Sequence, residues 1–119
     1  MTNEEFAEYF KARTKKWAIE VVKYVMALPE TPVLRVIRYQ LIKSSTSTAA
    51  NYRAACRARS GAEFHSKISI TLEEGDESLF WLEFIQESGI YDIPKMNELM
   101  KENTEIISVL AKTRKNSGK

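Results

Sequence analysis

Apolar positions recur at helical spacing along most of the chain. Phe6, Phe10, Trp17, Val21, Tyr24 and Leu28 follow one another mostly at steps of three or four, with Arg13 or Thr14 filling the gap. That spacing is one apolar face of an amphipathic helix. Thr2 followed by Glu5 reads as a capping box at its start. Leu28-Pro29-Glu30-Thr31-Pro32 is a break, with Thr31 placed to cap and Pro32 suited to a first helical position. A second helical line runs through Leu34, Ile37, Leu41, Ser44 or Ser45, Thr48, Tyr52 and Ala55. Its Ser/Thr-rich middle is a mediocre helix former. The spacing nevertheless passes through it in register, and small side chains there let a neighbouring helix approach closely. About 27 residues at 1.5 Å each make this helix about 40 Å long.

Ser60-Gly61-Ala62-Glu63 is the next start signal, with Ser60 as cap and Glu63 reaching back. Phe64, Ile68, Leu72, Gly75, Leu79, Leu82 and Gln86 follow at steps of four or three. Gly75 lies on this line at a cost of roughly 1 kcal/mol against alanine, which marks close packing or a tolerated weakness. Ser88-Gly89 ends the helix. Pro94 opens a fourth, which carries Met96, Leu99, Met100, Ile106, Ile107 and Leu110.

Four helices joined by short connections predict an all-α, antiparallel up-down-up-down four-helix bundle. The bundle domain is expected over residues 1–111, and residues 112–119 form a basic tail expected to be flexible. A length of 119 residues suits one domain. Only 4 Gly and 3 Pro argue against a turn-dense all-β fold. No apolar run approaches the ~18 residues that span a bilayer, and the acidic start lacks a signal-peptide core. The expectation is a cytoplasmic protein with no membrane partner.

Charge changes the picture more than composition does. The net charge is only +2. Residues 29–60, however, hold 6 basic and 1 acidic side chains, and residues 61–90 hold 1 basic and 7 acidic. A basic second helix therefore adjoins an acidic third. One consequence is complementary pairing across that hairpin. The other is that Arg53, Arg57 and Arg59 face outward and contact phosphate, helped by Lys112, Arg114 and Lys115. The end of the third helix, Leu79-Phe80-Trp81-Leu82-Glu83-Phe84-Ile85, is apolar nearly all round. One bundle core covers one stripe, so Phe80, Trp81 and Phe84 are candidates for a subunit interface.

Catalytic signals are weak. His65 is the only histidine and has no nucleophile nearby in sequence. Cys56, the single cysteine, cannot form an internal disulfide, and a small packed side chain is its expected role. Glu73 and Glu77 lie one turn apart, but the Glu-x-x-His motifs of di-metal bundles are absent. No cofactor, metal site or catalytic residue is expected. A turn centred near Ser60 and Gly61 sets residue 44 opposite roughly residue 77. Ser44, Ser47, Asn51, Glu73 and Glu77 would then form a polar seam across the hairpin.

One resemblance is specific. The run Ser44-Ser45-Thr46-Ser47-Thr48-Ala49-Ala50-Asn51-Tyr52-Arg53 is followed by Glu73-Glu74 and by Asp76-Glu77-Ser78-Leu79-Phe80-Trp81. It is similar to a bacterial four-helix-bundle family whose founding members are encoded in intervening sequences of 23S ribosomal RNA genes. The match is strongest over about 44–83. Gly61 and Gly75 depart from the larger polar residue and the alanine expected there. The resemblance implies a left-handed bundle and a homopentameric ring with no catalytic site. A related accessory protein of diversity-generating retroelements is a basic pentamer that binds nucleic acid and a reverse transcriptase. By analogy, the expected partners are further copies of this chain, structured RNA or DNA, and a protein such as a reverse transcriptase. The rival expectation is a homo-oligomeric protein-interaction scaffold with no nucleic-acid role.

Overall fold

The structure, a computed structural model, describes residues 1–118. It contains four helices: α1 (Asn3–Met26), α2 (Pro32–Ala55), α3 (Gly61–Ser88) and α4 (Met96–Ser117). Three of the four starts follow the expected capping chemistry. The Thr2 hydroxyl accepts from the Glu5 amide at 3.1 Å, while the Glu5 carboxylate accepts from the Thr2 amide at 2.8 Å. The Thr31 and Ser60 hydroxyls accept from the amides of Leu34 and Glu63, each at 3.1 Å. Each of these contacts satisfies a helix-end donor that otherwise has no partner within the helix.

α4 starts differently. Pro94 lies in the preceding turn, and Lys95 takes the cap position at φ 60° without a side-chain cap bond. α2 is 24 residues long, shorter than expected, because the chain leaves the helix at Cys56. α4 runs on to Ser117, so residue 111 is not a structural boundary. The reason is side-chain anchorage: Arg114 Nε donates to Ser69 Oγ at 2.8 Å, and His65 Nδ1 lies 2.8 Å from Ser117 Oγ. Lys119, the last residue of the expected tail, lies outside the described residues.

Sequential helices pack side by side and antiparallel. Phe10 meets Tyr52 edge-on at 4.9 Å, Ser78 Oγ donates to Ser44 Oγ at 2.7 Å, and Asn103 Nδ2 donates to the Gly75 carbonyl at 3.1 Å. α4 returns against α1, while the diagonal pairs α1–α3 and α2–α4 make no close approach. This is the up-down-up-down bundle. Its core includes Phe10, Val21, Ile37, Leu41, Ile68, Leu82, Ile106 and Leu110, all fully or almost fully buried.

The α1–α4 seam is the thinnest of the four. Arg13 closes it with two parallel bonds to Glu102, at 2.7 and 2.6 Å, and a third to Glu105 at 3.1 Å. Such a fork is among the stronger side-chain pairings. It holds the Glu102 carboxyl below its ordinary range.

Candidate functional site: a basic end, an acidic stripe and a groove

The antiparallel order brings the end of α2, the start of α3 and the end of α4 to one end of the bundle. Arg53, Arg57 and Arg59 therefore share an end with Lys112, Arg114 and Lys115, although about 60 residues of sequence separate the two groups. All six side chains are exposed. Arg59 lies 3.6 Å from Glu63, and Arg114 is held by Ser69. Among the described residues, Arg53, Arg57, Lys112 and Lys115 form no ion pair. Glu4, Glu5 and Glu8 of the first turns of α1 lie at the same end and offset part of this charge.

The expected polar seam exists with different members. Ser44 and Ser78 are buried and bonded to each other. Glu73 and Glu77 are exposed instead. The true register sets Ser44 against residue 78, not 77, and one residue turns a helix by about 100°, which swings Glu77 to solvent. Ser47 and Asn51 also stay out of the cross-helix seam, because the Asn51 amide donates to the Ser47 carbonyl of its own helix at 2.9 Å. Alongside the buried Thr14, Ser45, Thr48 and Thr71, Asn103 is another buried polar residue, and it bonds across helices. Its place at helical spacing between Leu99 and Ile106 was the signal for it in the sequence.

The acidic and basic helices do not pair as the sequence led one to expect. Among the described residues, no ion pair joins α2 to α3. Lys43 of α2 acts on Glu74 to lower its pKa. Even so, burial, with repulsion from Glu77 and Glu73, pushes its carboxyl up. Glu73, Asp76, Glu77 and Glu87 stay exposed and, among the described residues, form no ion pair.

Phe80 and Phe84 are 52% and 42% exposed, large values for phenylalanines in a folded chain. Trp81 is half-buried and props both rings at centroid distances of 4.9 and 5.9 Å. Its Nε1 is buried with no partner.

A second surface went unread in the sequence. A groove of about 720 Å³ is lined by residues of α1 and α2. Ala12, Ala18, Ala49 and Ala50 line it with small side chains, and Ile19 and Val22 add apolar surface. Lys11, Lys15, Lys23 and Arg53 line it too, against a single acid, Glu8.

Cys56 is half-buried, and burial pushes its thiol up, away from a reactive thiolate. His65 is tied to Ser117 across α3 and α4. No group of three or more His, Cys, Asp or Glu able to hold a metal is found among the described residues. Among the described residues, no helix is long and apolar enough to cross a membrane.

Comparison with known proteins agrees with this architecture. No curated protein matches the sequence significantly. A crystal structure of a protein of unknown function from the S23 ribosomal protein family of Bacteroides thetaiotaomicron is similar, at 27% identity and a TM-score of 0.79. The match covers 92% of this chain and 97% of that one. Residues 9–112 match the family described as 23S rRNA-intervening sequence protein, which takes in the helical pairings above except the Arg114–Ser69 and His65–Ser117 ties. The chain belongs to the 23S rRNA-intervening sequence protein family.

Proposed function

We propose that the protein is a non-catalytic, homo-oligomeric helical bundle that binds structured RNA or DNA through its basic end. The observation that carries this reading is the convergence of Arg53, Arg57, Arg59, Lys112, Arg114 and Lys115 on one end of the bundle. Phosphate contacts need clustered, solvent-facing cations, and this end supplies them. A single copy has a net charge of only +2, so repetition in an oligomer is what would raise the affinity. A homopentamer, the assembly implied by the family resemblance, presents five such ends.

Fluorescence anisotropy with a labelled RNA hairpin and the matching DNA duplex tests the reading. Binding is expected at low salt and should weaken steeply as salt rises. Replacing Arg57 and Lys115 together by alanine should flatten the salt dependence. No binding at low salt, or binding untouched by the double replacement, rejects it.

A second reading has its own observation. The exposed Phe80 and Phe84, propped by Trp81, favour a protein-interaction scaffold. On that reading a protein partner is captured independently of salt, and Phe84→Ala loses the capture.

A further inference from the structure

We infer that copies of this chain join head to tail, with the outer stripe of α3 from one copy seated in the α1–α2 groove of the next. This rests on the homo-oligomeric part of the proposed function and deepens it by naming the two halves of the joint.

The stripe consists of Ile70, Glu73, Glu77, Phe80, Phe84 and Glu87, all exposed and spaced alternately by three and four. It is a complete helix face turned away from the core line of Ile68, Thr71, Gly75, Ser78, Leu82 and Ile85. Three acids and three apolar side chains on one outward face are complementary to a groove of small apolar side chains with a basic rim. Charge complementarity of this kind fixes register and selects the partner.

Two further observations favour a second copy over an unrelated protein. The first is that the opposite charges stay apart within the chain. Among the described residues, neither the stripe acids nor Lys15, Lys23 and Arg53 form any ion pair. The second is that the dimensions and levels agree. The groove follows residues 8–23 of α1 and the stripe residues 70–87 of α3, about 22 and 26 Å at the helical rise. The Phe10–Tyr52 and Ser44–Ser78 contacts set the heights of the helices within one copy. Counted from them, Glu73 and Glu77 stand level with the part of α1 around Lys15. Phe80 and Phe84 stand level with Ile19, Val22 and Lys23, and Glu87 stands just beyond. Rotation about an axis parallel to the bundle keeps these heights. A neighbouring copy related in that way brings acids to lysines and rings to the apolar part of the groove.

The two surfaces lie on different sides of the molecule, since α3 is not adjacent to α1. Each copy can therefore use both at once, which is the heterologous contact that closes into a ring. Arg53 then belongs to the joint, and Arg57, Arg59, Lys112, Arg114 and Lys115 remain for phosphate.

Light scattering on charge-reversed variants tests the joint. One variant carries Lys15→Glu with Lys23→Glu, and the other Glu77→Lys with Glu87→Lys. All four positions are exposed, so circular dichroism should show both variants folded. Each variant alone is expected to fall to the 13.7 kDa monomer. Mixed in equal amounts, they should reassociate into species in which the two chains alternate, because a stripe meets a groove of opposite sign only on the other variant. These species are open or even-numbered, since a five-membered ring cannot alternate throughout. An oligomeric wild type whose variants stay assembled, or fail to reassociate on mixing, overturns the joint and leaves the oligomer itself standing. A monomeric wild type overturns the joint together with the oligomeric part of the proposed function.

Discussion

Gly75 shows how much one missing methyl decides. It is buried in the middle of α3, where a Cβ would stand 3.6 Å from Ile107 Cγ1, 3.7 Å from Thr48 Cγ2 and 3.8 Å from Leu110 Cδ1. These are ordinary van der Waals distances, so alanine fits without displacement. Gly75→Ala is expected to raise stability by about 0.5–1 kcal/mol, chiefly by restricting the unfolded chain. Urea unfolding checks it, and a loss of stability would mean that the helices cannot accept even this contact. Gly89 is the opposite case. It closes α3 at φ +67°, a left-handed conformation that strains other residues, so Gly89→Ala should cost about 1 kcal/mol. The buried Ser44–Ser78 pair gives a double-mutant test at the same scale. Either serine replaced alone by alanine leaves the other hydroxyl without its cross-helix partner and should cost about 1 kcal/mol. The double replacement should cost clearly less than the two single costs together.

At the scale of helices, the seam between α1 and α4 depends on pH. Arg13 holds the Glu102 carboxyl below its ordinary range, so the folded state favours the ionised form. The stability this contributes is fully present above the unfolded pKa near 4.5, and it is lost as pH falls through the lower folded value. The pair is partly exposed, so its worth at neutral pH is about 1 kcal/mol. Glu102→Gln should remove that amount at pH 7 and make no difference near pH 2, as thermal melts across that range would show. Glu74 has the opposite sign. Its carboxyl is pushed up by burial and by Glu77, so a penalty on folding builds as pH rises from the unfolded value near 4.5 through the raised folded value, and is full above it. Glu74→Gln is therefore expected to stabilise at pH 7 and to be neutral at pH 4 and below. The helices themselves were legible because capping at Thr2, Thr31 and Ser60 and the three-four apolar spacing are local signals. The end of α4 was not, because its last turn is held by Ser69 and His65, whose proximity only the tertiary packing creates. The seam was read one residue out of register, which was enough to exchange Ser78 for Glu77. Of the outward stripe of α3 the sequence shows Phe80 and Phe84 as surplus apolar positions but not their alignment with Glu73, Glu77 and Glu87, and it does not show the groove. That alignment needs a second line of three-four spacing to be set beside the core line, whereas the groove needs two helices to exist.

At the scale of the whole molecule, the proposed function makes the polarity of the bundle a link between assembly and nucleic-acid binding. Cyclic symmetry keeps all copies pointing the same way along the ring axis. In the proposed ring every basic end would lie on the same side, and Arg57, Arg59, Lys112, Arg114 and Lys115 of each copy would repeat around it. Binding through several such ends is multivalent, so affinity depends on the number of copies more than on any one cation. Phe84→Glu lies on the outer stripe of α3 and away from the basic end, and it should break the ring without touching a phosphate contact. It is nevertheless expected to weaken RNA binding by more than tenfold and to flatten the salt dependence, because fewer phosphates are neutralised per binding event. Arg57→Ala should keep the ring and lower affinity only a few-fold. Anisotropy titrations run beside light scattering on the same samples separate the two effects. If the dissociated Phe84→Glu chain binds RNA as tightly as the ring, the basic end of a single copy is sufficient, and assembly serves something other than nucleic-acid affinity.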